Sequence, residues 1–492
     1  MDCMIERRGC MMIVVLVILA VLVLIALIFV IRALAVKDTA EKPEEYEKPE
    51  IDLDAALKKV QGAIRIPTVS MRDETIPDTP FLELQAYLEQ TFPLFHEKAQ
   101  KRVVDKYSLM YKIEGSDVSL KPAMFMGHQD VVPPQEEGWN HPPFSAAVED
   151  GCIWGRGSFD MKSQLVSIFE ATEMHLRQGK LPQRTMYFCF GHDEEIAGNG
   201  AKAMCKVLAS EGIEFEFIFD EGMTPVNASL VGIEGPLALV GVCEKGWVNA
   251  KISAKGNAGH AAMPPKETTA VSLCKAVVKL NKHQMKARFT PAVNMLIRSV
   301  CPKASFKFKL LMANADILRP LVKPILLRLS PAVASMLRTT MAFTVLHASD
   351  AANVMPDESY AIVNCRVNLG EKVEDVKAHM QKVLGDKYEI ELDPVGQHEP
   401  TSMSDLDSFG WRMMQKTVAE VFPGGVTAPF PFVAGTDSKY YDSLTKCTFK
   451  FSPHITDAKY RAGMHNVNEY FKVSDVESDI QFYYRFMQNS CF

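Results

Sequence analysis

The sequence predicts an α/β protein: a large domain with a mainly parallel central sheet, a smaller inserted α+β domain, and an N-terminal transmembrane helix. Three observations carry this. Met11 to Ile31 is an unbroken run of uncharged, mostly aliphatic residues, about the 20-residue length that spans a bilayer as a helix. From Ile51 to Phe219, short apolar runs alternate with amphipathic stretches of helical length, the pattern of a parallel sheet whose ligands gather at the carboxyl ends of its strands. Near Lys245 the texture changes to two β-α-β runs, the pattern of a small α+β domain inserted into the first.

At 492 residues and 47% hydrophobic, the chain is long enough for a membrane segment and two domains. A net charge of -6, with both signs interspersed, argues against a nucleic-acid partner. The 11 cysteines are scattered, odd in number and without a Cys-x-x-Cys pair. That is neither a zinc ribbon nor a dense disulfide framework.

In order, residues 1–10 read as a cytoplasmic tail and 11–36 as a signal anchor. Arg7 and Arg8 precede the apolar run, while Arg32 and Lys37 after it are soon diluted by Asp38, Glu41, Glu44 and Glu45. This asymmetry places the bulk of the chain in a lumen or outside the cell, a type II topology. The rival reading is a secreted protein, since Ala33-Leu-Ala35 resembles a signal-cleavage site. Asn227-Ala-Ser229 is a glycosylation acceptor compatible with either. Residues 37–50, rich in Glu, Lys and Pro, read as a stalk.

The first catalytic segment spans 51–245. It has helices at Asp52 to Val69, Phe81 to Phe95, Gln164 to Gln178 and Gly200 to Ser210, and strands at Val103-Val104, Leu109 to Tyr111, Ala123 to Met126, Met186 to Phe190 and Phe215 to Phe219. The insert spans 246–398. Its strands are Ala250 to Lys255, Thr340 to Leu346, Tyr360 to Val367 and Tyr388 to Leu392, and its helices Lys266 to Leu280 and Val373 to Leu384. Between them, Phe306 to Leu337 is basic and leucine-rich and reads as a pair of amphipathic helices covering the insert or its partner, or facing lipid. The second catalytic segment, 399–492, has a helix at Asp405 to Val421, a strand at Thr448 to Phe451 and a closing helix at Val473 to Met487.

Three motifs sit where apolar runs end: Gly127-His128-Gln129-Asp130, Gly155-Arg-Gly157-Ser-Phe-Asp160-Met-Lys, and His192-Asp193-Glu194-Glu195. Imidazole with carboxylate suits zinc, and one carboxylate between two half-sites can bridge a metal pair. His128 and Asp130, two apart, share a strand face. The first is placed to ligate, and the second to hold its other ring nitrogen. Asp160 follows a Gly-x-Gly turn and is the candidate bridge, though an Asp there also suits a helix cap. Glu194 and Glu195 cannot share one role, so one should bind metal while the other acts as general base. Asp220-Glu221 offers a further carboxylate and His465 a late imidazole.

Together, these motifs resemble the co-catalytic zinc family of aminoacylase, glutamate carboxypeptidase and carboxypeptidase S, from about Ile51 onward. Gly-His-Asp-Glu-Glu, Pro-Pro-Lys-Glu-Thr (264–268) and the leucine-rich insert look most like the carboxypeptidase S branch, which also contains the N-fatty-acyl-amino-acid synthase/hydrolase. The resemblance implies two Zn2+ per subunit held by His128, Asp160, Glu195, Asp220 and His465, with Asp160 bridging and Glu221 the alternative to Asp220. It implies Glu194 as general base, Asp130 as the carboxylate behind His128, and His260 as a residue reaching across a homodimer formed by the inserted domain. Asn353, Arg366 and Thr436 match substrate-holding positions. A cis peptide after Asp160 is expected. Lys439 stands where the family usually has arginine after Gly-Thr-Asp-x. A lysine keeps the charge but loses the bidentate fork.

The function so implied is zinc-dependent hydrolysis of an amide or peptide bond beside a free carboxylate, as in a carboxypeptidase or N-acyl-amino-acid amidohydrolase. Its nearest variant is N-fatty-acyl-amino-acid synthesis and hydrolysis. The reading from another class is a catalytically dead ectodomain on the same fold.

Overall fold

The computed structural model describes residues 2–38, 43–72, 75–196 and 198–492. Its centre is a large mixed sheet. Strand Gln100–Val104 lies at one edge, followed by Ser108–Ile113, Met186–Gly191, Ala123–His128, Phe217–Met223, Thr448–Phe451, Pro236–Glu244 and Val426–Phe432. The middle pairings, from Met186–Gly191 through Ala123–His128 and Phe217–Met223 to Thr448–Phe451, are parallel. The hairpin Gln100–Ile113, its pairing with Met186–Gly191, and the pairing of Thr448–Phe451 with Pro236–Glu244 are antiparallel, while the far edge, Pro236–Glu244 with Val426–Phe432, is parallel again.

Side chains alternate across this sheet with a period of two, as a strand requires. Phe125, Phe188, Phe190, Phe217, Phe219, Phe449 and Phe451 face helices Leu53–Arg65, Ser163–Arg177, Phe409–Val421 and Val473–Ser490. Met124, Met126, Tyr187, Cys189 and Ile218 face helix Asn199–Ser210 through Ala201, Met204 and Leu208. With both faces covered, the site can open only along the edge where the strands end.

A second sheet, wholly antiparallel, runs Thr340–His347, Glu358–Val367, Gly246–Lys255, Glu389–Leu392. Val248, Ala250, Ile252, Val363 and Cys365 pack beneath helices Thr269–Lys282 and Val373–Leu384. A two-residue ribbon, Gly259–His260 with Val354–Met355, projects from it.

The leucine-rich stretch forms three helices rather than two: Phe306–Ala313, Ala315–Leu329 and Pro331–Leu337. Asn314 breaks the first from the second. Ser330, whose hydroxyl accepts from the Val333 N–H ahead of Pro331 at the first helical position, starts the third. The first of them and helix Pro291–Val300 lie on the large sheet, where Leu296, Val300 and Met312 pack with Val426 and Ala428.

The apolar run is a single helix, Asp2–Ala35. The segment read as a stalk follows the body of the protein where it is described (residues 39–42 lie outside the described residues). Asp38 pairs with Lys303 at 2.5 Å and Glu44 with Lys416 at 2.8 Å. Tyr46 lies under the Arg485 guanidinium and accepts from Gln481.

Candidate metal centre

The site is built where the strands of the large sheet end. His128 closes strand Ala123–His128, and Glu194 and Glu195 follow strand Met186–Gly191. Glu221 lies within strand Phe217–Met223 at a point where register with Thr448–Phe451 slips. Asp160 sits in the turn Ser158–Lys162 and is followed by a cis peptide to Met161, as the resemblance implies. His465 is contributed by a loop in which it and Asn468 adopt left-handed backbone, φ 59° and 58°. Asn468 pins that loop by accepting from the Asn140 N–H and donating to the Gly138 carbonyl, and Gln135 donates to the His465 carbonyl.

These side chains converge. His128 Nε2 is 2.9 Å from Asp160 Oδ1 and 3.3 Å from Glu221 Oε1. His465 Nε2 is 3.0 Å from Asp160 Oδ2 and 3.2 Å from Glu195 Oε1. One ligand atom each from His128, Asp160 and Glu195 lies within 4.8 Å of the others, and so does one each from His128, Glu194 and Glu221. The other ring nitrogen of His128 is held at 2.9 Å by the main-chain carbonyl of Asp130, with the Asp130 carboxylate at 3.4 Å. Asp130 serves more than the imidazole: its carboxylate accepts from the N–H groups of Glu194 and Glu195 and from the Ser70 hydroxyl. It therefore fixes His128 and the acidic doublet relative to each other.

The expected ligand Asp220 stands apart from this group. Its Oδ1 accepts from the Glu221 N–H and its Oδ2 from the Ser438 N–H. The neighbouring Glu221 turns toward His128 instead, because the register slip re-aims the strand there.

Charge in this pocket is strongly perturbed. Burial pushes the Glu194 carboxyl well above its ordinary range, with Asp437, Glu221 and Glu195 adding to the shift. Burial likewise raises Glu221 to about 8 and Asp437 to about 7. Burial opposes ionisation of Asp160, but hydrogen bonds from His128 and His465 hold its pKa below the usual carboxylate value. His465 is raised to about 10 by its bonds to Asp160 and Glu195. Crowded buried carboxylates of this kind are the setting in which a cation is favoured.

The residues fit a metal. Imidazole and carboxylate are zinc donors, and Glu195 Oε1 is buried with the His465 imidazole, at 3.2 Å, as its neighbour. Both oxygens of Asp437 are also buried without hydrogen bonds. Gly191 and Gly198 make room for that carboxylate, since a Cβ at Gly191 would lie 2.6 Å from Asp437 Oδ2.

The residues expected on the substrate side are arranged differently. Thr436 is buried beside the site; its N–H donates to Glu244 and its hydroxyl pairs with Ser438. Lys439 donates to the Thr436 carbonyl at 2.9 Å. Burial works against its ammonium, but Glu244, Asp437 and Glu194 together raise its pKa above the ordinary value. Arg366 lies half-buried on strand Glu358–Val367 of the second sheet. His260 and Asn353 meet on the exposed ribbon, where the Ala261 N–H donates to the Asn353 carbonyl. His260 has no contact with the cluster among the described residues of its own chain.

One positioning residue was not singled out from sequence. Glu469, fully buried, accepts from the N–H groups of Phe159 and Asp160 and pairs with Arg156 at 2.5 Å. Burial raises its pKa to about 7. The signal was present, an acid in the His465 loop and an arginine inside Gly155-Arg-Gly157, but they lie 313 residues apart.

Residues 124–489 match peptidase family M20/M25/M40. The chain is 35% identical over 439 residues, 88% of this chain and 85% of the relative, to the N-fatty-acyl-amino acid synthase/hydrolase PM20D1 of Xenopus tropicalis. It is 34% identical over 416 residues, 83% of this chain and 79% of the relative, to the probable carboxypeptidase S-like 2 of Dictyostelium discoideum. Among solved structures, the M20 family metallo-carboxypeptidase Sso-CP2 from Sulfolobus solfataricus superposes with a TM-score of 0.65 at 16% identity, covering 88% of this chain and 98% of that one. The chain thus belongs to peptidase family M20/M25/M40, a family of metal-dependent hydrolases.

Proposed function

We propose that this protein is a two-zinc hydrolase that cleaves an amide or peptide bond next to a free carboxylate. The observation that carries the reading is the double engagement of Asp160, one oxygen facing His128 and the other facing His465. That is the arrangement of a carboxylate placed to bridge two half-sites. On this reading His128 and Glu221 complete one half-site, and His465 and Glu195 the other. Asp220 supports the strand end through its two backbone hydrogen bonds.

When bound, the metals supply Lewis acidity toward the scissile carbonyl and lower the pKa of the attacking water. The chain's own residues do the rest. Glu194, beside the cluster and pushed above the ordinary carboxyl range by burial, takes the proton of the attacking water and returns it to the departing amine nitrogen. Asp130 holds the Glu194 N–H so that the carboxylate faces the water. Arg366, Asn353 and Thr436 hold the substrate carboxylate, with Lys439 close by. Glu194→Gln is expected to keep its zinc and lose turnover; a variant that turns over at the wild-type rate would refute the assignment.

The exposed position of His260, away from its own cluster, supports a homodimer in which it serves the partner's site. Val271 and Val278 on helix Thr269–Lys282 are about half exposed and give such a dimer an apolar face (48% and 52%). Sedimentation of the full chain in detergent tests this, and a monomer with full activity would remove it. The helix through Met11–Ala35, with a mean hydropathy of 3.8 and no buried residues in its most apolar window, supports a type II anchor. Glycosylation at Asn227, which is exposed, would report the luminal or extracellular side.

Within this chemistry, fatty-acyl amino acids are the favoured substrate class. The supporting observations are the likeness to PM20D1 and the exposed leucine-rich helices beside the anchor. Hydrolysis of one amino acid bearing acyl chains of increasing length, with and without chelator, separates this reading from a peptide carboxypeptidase.

A further inference from the structure

Helix Ala315–Leu329 has its amphipathicity inverted. Its outward positions are Asp316, Ile317, Pro320, Leu321, Pro324, Ile325, Arg328 and Leu329, and between the charged ends every one is apolar. Ile317, Leu321, Ile325 and Leu329 recur every four residues and are 49%, 68%, 62% and 67% exposed. A helix on a water-facing surface turns polar residues outward. The surroundings are also basic: from Lys303 to Arg338 there are Lys303, Lys307, Lys309, Arg319, Lys323, Arg328 and Arg338 against Asp316 alone, in a chain whose net charge is -6.

This helix is fastened to the apolar N-terminal helix. Arg32 Nη2 donates to both carboxylate oxygens of Asp316 at 2.8 Å, and buried Asn314 donates to the Phe29 carbonyl at 3.1 Å. Ala33 is fully buried at the contact. The apolar span Met11–Ala35 has 25 residues, about 37 Å of helix, against a hydrocarbon core of about 30 Å. Its final turns, from about Phe29, therefore emerge at the headgroup level, and the attached helix begins there. A cavity of about 390 Å³ at this junction is lined by Arg32, Lys37, Arg298 and Arg319, with Asp316 as its one acid.

We propose that helix Ala315–Leu329 lies in the membrane interface beside the anchor, its aliphatic stripe among the acyl chains and the basic residues at its base against anionic lipid phosphates. The catalytic body is then seated on the bilayer instead of swinging on a tether. The occupant is a leaflet, because the stripe is continuous with the helix that enters it and the flanking charge complements anionic headgroups. The inference rests on the anchor reading above, and the test separates the two.

The full chain, in a Cys274→Ser background since Cys274 is exposed, is placed in vesicles containing phosphatidylserine, with an environment-sensitive fluorophore on Leu321→Cys. Val395→Cys, in an exposed loop after strand Glu389–Leu392, is the reference. The probe at 321 is expected to shift to the blue and lose most of its emission to nitroxide-labelled lipids, while that at 395 does neither. The shift should weaken in purely zwitterionic vesicles. Adding Ile317→Glu and Ile325→Glu, at positions without packing roles, should return the probe at 321 to water while the chain stays in the membrane through alkaline carbonate. A chain that resists carbonate but carries a water-exposed probe at 321 overturns this inference and leaves the anchor. A chain extracted by carbonate with the probe still quenched overturns the anchor and leaves the surface contact. Protection that follows protein concentration and ignores lipid assigns the stripe to a second copy and overturns the proposal.

Discussion

The two sheets of this molecule handle charge in opposite ways. In the second sheet, strand Glu358–Val367 alternates buried and half-exposed positions along its whole length; Val248, Ile252 and Val363 form an apolar core, while charged residues on its strands such as Lys251, Lys255, Glu358 and Glu389 are half-buried or exposed. In the large sheet the strand bodies are equally apolar, but their carboxyl ends gather His128, Asp130, Asp160, Glu194, Glu195 and Glu221, largely out of water. Burying charge is costly unless it is paired or bound to a cation. The contrast teaches that the cluster is not a by-product of sheet formation: among the described residues, the four-stranded sheet of the same chain is built without one.

Substitutions in the two sheets should therefore separate activity from stability. The largest effect is expected for Asp160→Asn, which removes the shared carboxylate; metal analysis and turnover should both collapse. Glu194→Gln comes next, lowering kcat by about 10²–10⁴-fold with metal content retained. In the acidic pair, Glu221→Gln should reduce the zinc bound per chain while Asp220→Asn changes thermal stability more than zinc. The reverse pattern would restore Asp220 as the ligand. Glu469→Gln loosens the Asp160 turn and should weaken metal affinity about 10–100-fold, measured by chelator competition.

On the other side of the comparison, Ile252→Ala should cost about 2–5 kcal/mol of stability with unchanged turnover per folded molecule. The remaining effect, read only as a pH dependence of stability, concerns Lys245, where the two sheets join. Its ammonium caps the carbonyls of Ser335 and Arg338, and burial, with Arg366 nearby, lowers its pKa to about 7. The unfolded chain holds that proton up to about pH 10.4, so between these values the unfolded state binds more protons. Stability should rise with pH across that window, by at most about 1.4 kcal/mol per unit, and level off below about 7. Thermal melts of Lys245→Met should lack this slope.

Much of this was legible in the sequence because it is local. Strand bodies announce themselves by short apolar runs, and His128, Asp160 and Glu194-Glu195 stand where those runs stop. What could not be read depends on distant or fine geometry. Whether Asp220 or Glu221 faces the site turns on a register slip against a strand more than 200 residues later. Glu469 acts through backbone N–H groups that no side-chain pattern advertises. The leucine-rich stretch declared its helices but not its neighbours. Its Met312 packs against the large sheet and its Asn314 reaches the N-terminal helix. The acidic run after the N-terminal apolar helix has no core of its own, yet Tyr46 docks it under Arg485.

The most direct test is the zinc content of the purified full chain, measured beside that of Glu194→Gln and Asp160→Asn. Two equivalents in the wild type and in the silent Glu194→Gln, with the complement lost in Asp160→Asn, is the predicted result. A wild-type chain that hydrolyses its substrate after exhaustive chelation, with no metal bound, would contradict it.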